Sequence, residues 1–256
     1  IAALEDIFVD HRFGNAGAKV VIEDFLEGQE FSLMSFVSGT DFWPMPISQD
    51  HKRAYDDDKG PNTGGMGAYS PVPQIGQDVV DAAIDTIVRP TVEAMAAEGT
   101  PFTGILYAGL IATADGPKVI EFNARFGDPE TEVVLPKLTS DLGAGIGAIL
   151  KGETPEFTWD DANATLGVVL ASDGYPVNVV KGAAIPEIPV DEDTHVYYAG
   201  VANGEHGLVA SSGRVLLVET TAPDIKAAQD KVYAILDGLD TTGMFYRHDI
   251  GSKALK

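Results

Sequence analysis

The sequence predicts an α+β fold, in which an antiparallel sheet with packed helices is followed by a small α+β domain. Three observations support this prediction. Short β-rich runs come in adjacent pairs joined by Gly-containing turns, which is typical of antiparallel hairpins. Apolar residues recur at helical spacing over 78–99, between the first strands and the next pair. Gly, Pro, Glu and Asp predominate over 151–161, so we predict domains over 1–152 and 153–256.

Composition excludes several classes of function. The 256 residues carry a formal net charge of -22, from 17 Lys and Arg against 39 Asp and Glu. A nucleic-acid binder must neutralise phosphates with cationic side chains, so we expect neither nucleic acid nor an anionic membrane as a partner. The absence of cysteine excludes disulfides, thiol catalysis and thiolate metal sites, and favours the cytoplasm.

The first part of the chain predicts a helix end followed by three strands. Residues 2–8 have the pattern of an amphipathic helix. Residues 19–25 form an apolar run, and residues 30–37 alternate polar and apolar side chains, so we expect these two runs to pair as a hairpin. A third strand over 42–47 contains Pro44 and Pro46, which places it at a sheet edge.

The polar segment 48–73 admits two interpretations. Residues 48–53 combine donors, acceptors and two fixed cations, and the Gly-rich run 60–67 can present backbone N–H groups to an anion. A segment this long between regular elements is either functional or mobile. The functional interpretation predicts a binding loop, whereas the alternative is a mobile acidic loop centred on 56–58.

The next elements are a long helix and a second hairpin. The helix over 78–99 contains Pro90, which predicts a kink or a junction of two helices. Strands are predicted over 102–113 and 118–124, with a tight turn between them. Alternation places Glu121, Asn123 and Arg125 on one face of the second strand and its apolar residues on the core face.

The polar face of that strand has the chemistry of a nucleotide-metal site. A carboxylate and an amide oxygen two residues apart are ligands that Mg²⁺ accepts. An arginine one step further along can hold a phosphate or an acyl phosphate by bidentate hydrogen bonds. The alternative is a half-buried strand with a solvated polar face.

The remaining chain predicts helices over 128–135, 141–150 and 224–236, with short strands over 164–171, 195–201, 207–211 and 214–220. No P-loop, no Gly-x-Gly-x-x-Gly after a strand, no Gly-x-Ser-x-Gly elbow and no zinc-like pairing of histidines occurs. Glu23 and Glu30 lie on either side of Phe25 and Leu26, where the predicted strand is interrupted. They could serve a base and a ribose, or they could be surface glutamates.

The motifs taken together resemble a known family. The runs VIEDFLEG (21–28), SQDHKR (48–53), GPNTGGMGAYSP (60–71), GILYAGL (104–110) and VIEFNARFGDPET (119–131) occur in the order and approximate spacing of the phosphoribosylamine–glycine ligases. Looser similarity continues at 166–171, 174–176 and 213–216, so the resemblance covers essentially the whole chain. These ligases are also called glycinamide ribonucleotide synthetases and belong to the ATP-grasp superfamily.

The resemblance implies an ATP-grasp core and specific roles for its residues. It makes Glu121 and Asn123 the ligands of Mg²⁺, or Mn²⁺, between ATP phosphates, and makes Arg125 the catalytic residue that stabilises the transferred phosphoryl group. Glu23 and the backbone of Phe25 and Leu26 would hold adenine, and Glu30 the ribose. The residues implied to face the two substrates are Asp50, His51, Lys52, Arg53, Asn62, Thr63, Gly64, Gly65, Asp128 and Glu130.

The implied reaction joins glycine to 5-phosphoribosylamine through glycyl phosphate, with release of ADP and phosphate, as a step of purine synthesis. Many ATP-grasp enzymes have an additional acid on the strand before the metal strand, whereas this chain has Tyr107 there. The family's N-terminal domain and phosphate-contacting lysines would precede Ile1, so we expect the C-terminal part of a longer enzyme that cannot turn over alone. The alternatives are a non-catalytic nucleotide- or partner-binding module and a related ATP-grasp ligase for another carboxylate.

Overall fold

The computed structural model describes residues 2–12 and 14–256. In chain order the strands are β1 (Gln29–Ser38), β2 (Asp41–Pro44), β3 (Gln49–Asp50), β4 (Arg53–Tyr55), β5 (Lys59–Asn62), β6 (Gly67–Ser70), β7 (Thr103–Thr113), β8 (Gly116–Asn123), β9 (Ala164–Ser172), β10 (Thr194–Tyr198), β11 (Val201–Gly204), β12 (Gly207–Ala210), β13 (Arg214–Ala222) and β14 (Met244–Phe245). The α-helices are α1 (Ala2–Phe8), α2 (Gln77–Ala83), α3 (Arg89–Ala97), α4 (Thr131–Val134), α5 (Leu142–Lys151) and α6 (Ile225–Leu236). This α+β content confirms the predicted fold class.

Two hairpins form a four-stranded antiparallel sheet in the order β2-β1-β7-β8. The pairing of β7 with β8 confirms the second predicted hairpin. Strand β2 pairs with β1 and lies at the sheet edge, the position predicted for the strand over 42–47. The register of the second hairpin shifts once, because Gly109 lies opposite Glu121 but Leu110 lies opposite Val119. The residue between them, Ile120, is therefore the extra residue of a β-bulge.

The face of β8 predicted to be core is only partly covered. Phe122, which alternation places on that face, remains 40% exposed. Strand β8 lies at the edge of its sheet and contains the bulge, which disturbs strict alternation. The prediction that this face packs into the core is therefore wrong for Phe122.

The strand predicted over 19–25 is also wrong, since these residues lie outside the strands of the described chain. Val21, Ile22 and Phe25 are 86%, 79% and 89% exposed. Strand β1 cannot take this segment as a hairpin partner, because β2 and β7 already occupy its two edges. The apolar run is thus left beside the sheet rather than within it.

A second sheet has the strand order β10-β13-β9-β6-β3, with β14 also paired to β9. Strand β6 lies antiparallel to β9, with Gly67 opposite Val168. The polar segment 48–73 thus contributes four short strands, β3 to β6, of which two enter this sheet. Strands from both sides of residue 152 meet here, and the boundary between 1–152 and 153–256 stays a prediction.

The helix predicted over 78–99 forms as two α-helices joined by a π-helical turn, Ile84–Val88. Pro90 lies in the first turn of α3, where its missing N–H costs least, which confirms the predicted junction. Asp224 caps α6, since its side chain accepts a hydrogen bond of 2.8 Å from the Ala227 N–H. The largest apolar cluster joins both sheets to α6. In the part of the chain that the structure describes, each helix is too short or too polar to cross a bilayer.

Candidate functional site

Two neighbouring cavities lie along β8. The first, which we call the main cavity, has a volume of about 390 Å³ and is lined by Asp50, Lys52, Asn62, Thr63, Gly64, Tyr107, Ile120, Glu121, Asn123, Arg125, Gly127, Asp128 and Glu130. The second, the hinge cavity, has a volume of about 440 Å³ and is lined by Glu23, Asp24, Phe25, Leu26, Glu30, Ile111, Lys118, Val119 and Ile120. The bulged residue Ile120 contributes to both cavities.

The structure brings most of the predicted site residues into these two spaces. The hinge cavity collects the four residues assigned to the nucleotide, Glu23, Phe25, Leu26 and Glu30. The main cavity collects Glu121, Asn123 and Arg125 together with residues from the polar loop and from the turn at 128–130. Lys52 of the main cavity lies 3.5 Å from the Glu30 carboxylate of the hinge cavity, so the two spaces meet at this ion pair.

Three predicted substrate residues lie outside the main cavity. His51 is buried, and within the described residues neither ring nitrogen has a hydrogen-bond partner. Burial, with the nearby charge of Arg247, lowers the pKa of His51 to about 3. Arg53 is exposed and donates to the Gly60 carbonyl at 2.8 Å. Gly65 is buried and does not line the main cavity.

Gly65 allows the polar loop to approach the turn after β8. Its φ of +115° is a conformation that favours glycine. A Cβ atom at this position would lie 2.3 Å from Pro129 Cδ and 2.7 Å from Asp50 Oδ1. The close contact between loop and turn therefore requires glycine here.

The predicted metal ligands lie side by side on β8. Asn123 Nδ2 lies 3.3 Å from Glu121 Oε1, and both side chains face the main cavity. Carboxylate and amide oxygens suit Mg²⁺, which keeps several waters and substrate phosphates in its coordination shell. The residues that the structure describes contain no cluster of three His, Cys, Asp or Glu arranged for a metal. The pair fits a metal that is completed by phosphates and water, and not an all-protein cage.

A buried hydroxyl pair holds one carboxylate at the substrate end of the main cavity. Glu130 is 3% exposed, and its Oε1 accepts hydrogen bonds from Tyr107 Oη at 2.7 Å and Ser32 Oγ at 2.9 Å. Burial and the charge of Glu130 raise the pKa of the neighbouring Asp50 well above its usual range. Tyr107 thus donates a hydrogen bond to a buried carboxylate.

Arg214 is a site residue that the sequence interpretation missed. It begins β13, in the C-terminal half, and Nη1 lies 2.9 Å from Gly64 O, 2.9 Å from Asp128 O and 2.9 Å from Asp128 Oδ1. One guanidinium thus joins the polar loop to the turn after β8. A single arginine at a strand start has no local pattern that distinguishes this role from an ordinary surface position.

The C-terminal segment, residues 247–249, contacts the β4–β5 hairpin, which directly follows Lys52. Arg247 is fully buried and donates to both carboxylate oxygens of Asp249 at 2.7 and 2.8 Å. The same guanidinium donates to Arg53 O at 3.0 Å and to Asp58 Oδ1 at 3.1 Å. The hairpin, whose ends line the main cavity, is therefore anchored to the end of the chain.

Comparison with known proteins identifies two family models in this chain. The phosphoribosylglycinamide synthetase ATP-grasp (A) domain matches residues 1–131, and the C domain of the same family matches residues 165–253. Over 258 aligned residues the chain is 56% identical to the phosphoribosylamine–glycine ligase of Streptococcus pyogenes serotype M6 and 54% identical to that of Streptococcus pneumoniae strain R6. Each alignment covers 100% of this chain, which spans 61% of the length of these relatives.

Solved structures agree with the family models. The phosphoribosylamine–glycine ligase of Thermotoga maritima matches with a TM-score of 0.79 and 35% identity, over 89% of this chain and 57% of that one. The biotin carboxylase domain of the Hydrogenobacter thermophilus 2-oxoglutarate carboxylase, solved in complex with MgADP, matches with a TM-score of 0.68 over 96% of this chain and 53% of that one. Its identity of 12% shows a shared fold alone.

These findings confirm the resemblance derived from the motifs. The ATP-grasp (A) model spans more than half of the 256 residues, and the C-domain model follows it in order. The cavities described above lie largely within the region matched by the first model. The chain therefore belongs to the phosphoribosylglycinamide synthetase family and has its ATP-grasp fold.

Proposed function

We propose that this chain contributes the site of an ATP-dependent ligase that joins glycine to 5-phosphoribosylamine and forms glycinamide ribonucleotide, ADP and phosphate in purine biosynthesis. One observation supports this most strongly. The main cavity combines the oxygen ligands of Glu121 and Asn123, the Arg125 guanidinium and carboxylates from three separate segments of the chain. It also adjoins the hinge cavity. Such a pair of spaces suits a nucleotide whose phosphates extend toward an activated carboxylate.

In this proposal the hinge cavity holds the nucleoside of ATP. Its apolar wall of Phe25, Leu26 and Val119 suits a planar base, with Glu23 at the hinge. Glu30 accepts from the ribose hydroxyls. Its carboxylate is oriented by Lys52 at 3.5 Å, so the ribose end faces the main cavity.

The phosphates and the metal occupy the β8 end of the main cavity. Glu121 and Asn123 hold Mg²⁺, with Mn²⁺ as an alternative ion. When bound, the metal neutralises phosphate charge. Arg125 is the catalytic residue that stabilises the transferred phosphoryl group, and its exposed side chain now donates to Phe126 O at 2.8 Å.

Glycine and phosphoribosylamine occupy the opposite end. Direct contacts are proposed for the cavity-lining residues Asp50, Lys52, Asn62, Thr63, Gly64, Asp128 and Glu130. His51, Arg53 and Gly65 shape the loop that presents them. We also propose the two predicted domains, a cytoplasmic location and, as a partner, a further part of the same enzyme that covers the nucleotide.

Calorimetry of Mg-ATP binding tests the metal role. In the intact protein, by which we mean this chain together with the further part of the enzyme proposed above, Glu121→Ala should weaken Mg-ATP binding at least about tenfold, because a ligand of the metal is lost. Glu98→Ala, at an exposed position after α3, is the matched control and should bind as the parent does. Undiminished binding by Glu121→Ala would remove Glu121 from the metal site.

Substrate specificity needs its own assay. ADP release by the intact protein should require both glycine and phosphoribosylamine, and other amino acids should not replace glycine. Equal ADP release with another carboxylate would favour a related ligase. Mg-ATP binding without release of ADP would favour a non-catalytic module.

A further inference from the structure

Two carboxylates at the substrate end of the main cavity are held very differently. Glu130 Oε1 accepts two hydroxyl hydrogen bonds, from Tyr107 and Ser32. Asp50 Oδ1 is buried and has no hydrogen-bond partner among the described residues. Two hydroxyl donors thus occupy Glu130 Oε1, whereas Asp50 Oδ1 has no donor of this kind.

The surroundings of Asp50 make its carboxylate a stronger base than an exposed one. Burial and the charge of Glu130 raise its pKa, whereas Lys52, the backbone N–H of His51 and Arg214 lower it in part. The net direction is well above the usual range. Lys52 also pairs with Glu30 at 3.5 Å, which divides its charge between two carboxylates.

The two other carboxylates at this end, Glu130 and Asp128, already have hydrogen-bond or ion-pair partners. Glu130 is bound to the Tyr107 and Ser32 hydroxyls. Asp128 pairs with the Arg214 guanidinium at 2.9 Å. Asp50 also lines the cavity, and its buried Oδ1 has no hydrogen-bond partner among the described residues.

We propose that Asp50 is the residue that accepts the proton of the attacking amine in the ligation step. This role rests on the proposed ligase function. The amine nitrogen forms a bond to the carbonyl carbon of the acyl phosphate and gives one proton to the Asp50 carboxylate. The bond from that carbon to the phosphate oxygen breaks, and inorganic phosphate leaves with the electron pair.

The test separates the two half-reactions in the intact protein. Hydroxylamine, added in place of phosphoribosylamine, traps glycyl phosphate as the hydroxamate and reports the first half-reaction. Hydroxylamine is a stronger nucleophile than the amine of phosphoribosylamine, and it is unprotonated at neutral pH. Asp50→Asn should lower ligation to phosphoribosylamine at least about 100-fold more than it lowers ATP- and glycine-dependent hydroxamate formation, which is the usual size of a general-base effect. Asp50→Glu, which restores a carboxylate, should recover part of the ligation rate.

Three outcomes would overturn this role for Asp50. Ligation by Asp50→Asn within about fivefold of the parent would show that no base is needed at this position. An equal fall of both half-reactions would assign Asp50 to binding or folding instead. A parent protein that forms neither hydroxamate nor ligation product would reject the proposed function, and with it the role of Asp50.

Discussion

Arg214 Nη1 lies 2.9 Å from Asp128 Oδ1, although Arg214 begins β13 of one sheet and Asp128 lies in the turn after β8 of the other. The same nitrogen lies 2.9 Å from Gly64 O, so a side chain from β13 fixes the distance between the polar loop and the turn after β8. Hydrogen bonds to a charged group contribute more than neutral ones. The width of the main cavity therefore depends on a residue from the C-terminal half.

Replacing Arg214 should impair the proposed ligation. We expect Arg214→Ala to lower kcat/KM for phosphoribosylamine about 10- to 100-fold in the intact protein, which corresponds to about 1.4 to 2.7 kcal/mol. Arg214→Lys should recover little, because an ammonium cannot reach the same oxygens as a planar guanidinium. Steady-state kinetics with each substrate varied in turn would measure the effect.

The control for this change is Arg89→Ala. Arg89 also pairs with an aspartate, Asp85, at 3.4 Å, but its side chain is 49% exposed and lies outside both site cavities. Its loss should leave kcat/KM within about twofold. Equal effects of the two substitutions would show that Arg214 does not shape the site.

Gly65→Ala should disrupt the contact between the polar loop and the turn. The new Cβ would lie 2.3 Å from Pro129 Cδ, so either the loop or the turn must move. We expect at least a tenfold loss of kcat/KM, measured in the same assay. Gly99→Ala is the matched control, because Gly99 also has a positive φ of +78° but has no heavy atom of the described residues within 4 Å of the added Cβ. Similar kinetics of both variants would contradict the proposed role of this contact.

Arg247→Met should strongly destabilise the fold. The guanidinium is fully buried and pairs with Asp249 and Asp58. Without it Asp249 would lose this cation, whereas Asp58 would keep its ion pair with Lys253 at 2.6 Å. Breaking a buried ion pair on one side typically costs about 3 to 5 kcal/mol in the free energy of unfolding. Urea unfolding monitored by circular dichroism would measure this loss.

Lys59→Met provides the comparison for Arg247. Lys59 pairs with Asp57 at 3.1 Å, but both side chains are more than 70% exposed. Its removal should change the free energy of unfolding by less than about 0.5 kcal/mol. A loss below about 1 kcal/mol for Arg247→Met would show that the C-terminal segment does not anchor the hairpin.

The pH dependence of stability should contain a contribution from His51. Its folded pKa of about 3 lies below the usual value of 6.5, so the unfolded chain binds the proton first as the pH falls. The contribution of the neutral His51 to the free energy of unfolding is fully present above pH 6.5. It decreases between pH 6.5 and pH 3 by about 1.4 kcal/mol per pH unit. Between pH 7 and pH 5 the parent should lose about 2 kcal/mol more than His51→Phe, which cannot take up this proton.

Urea unfolding at both pH values would measure this difference, since the other titrating groups contribute equally to both proteins. His206→Phe is the matched control, because His206 is exposed and should show the parent's pH dependence. Parallel pH profiles for the parent and His51→Phe would contradict the buried neutral histidine.

The hairpin that bears the proposed metal ligands could be predicted from sequence, because its signals are local. Alternation and a Gly-containing turn mark β7 and β8, and the two ligands follow on one strand. Residues 19–25 have the same β-rich character but form no strand in the described chain, since β2 and β7 already occupy the edges of β1. Local propensity cannot indicate which edges are already filled.

The interactions that tune the site could not be predicted from the sequence. Ser32 and Glu130 are 98 positions apart and meet only in the folded sheet. Arg214 reaches Gly64 over 150 positions. A motif search finds polar residues that lie together in the chain, whereas these partners are set by sheet topology.

The pairing of β6 with β9 has a consequence for how the protein is made. Strand β6 ends the polar loop that lines the main cavity, and its partner in the sheet emerges from the ribosome only when Val168 has been synthesised. Until then the edge of β6 that faces β9 stays unpaired and exposed to other chains. The order of synthesis therefore makes completion of the sheet beside the main cavity a late, long-range event, and a nascent chain halted before β9 would be prone to aggregate.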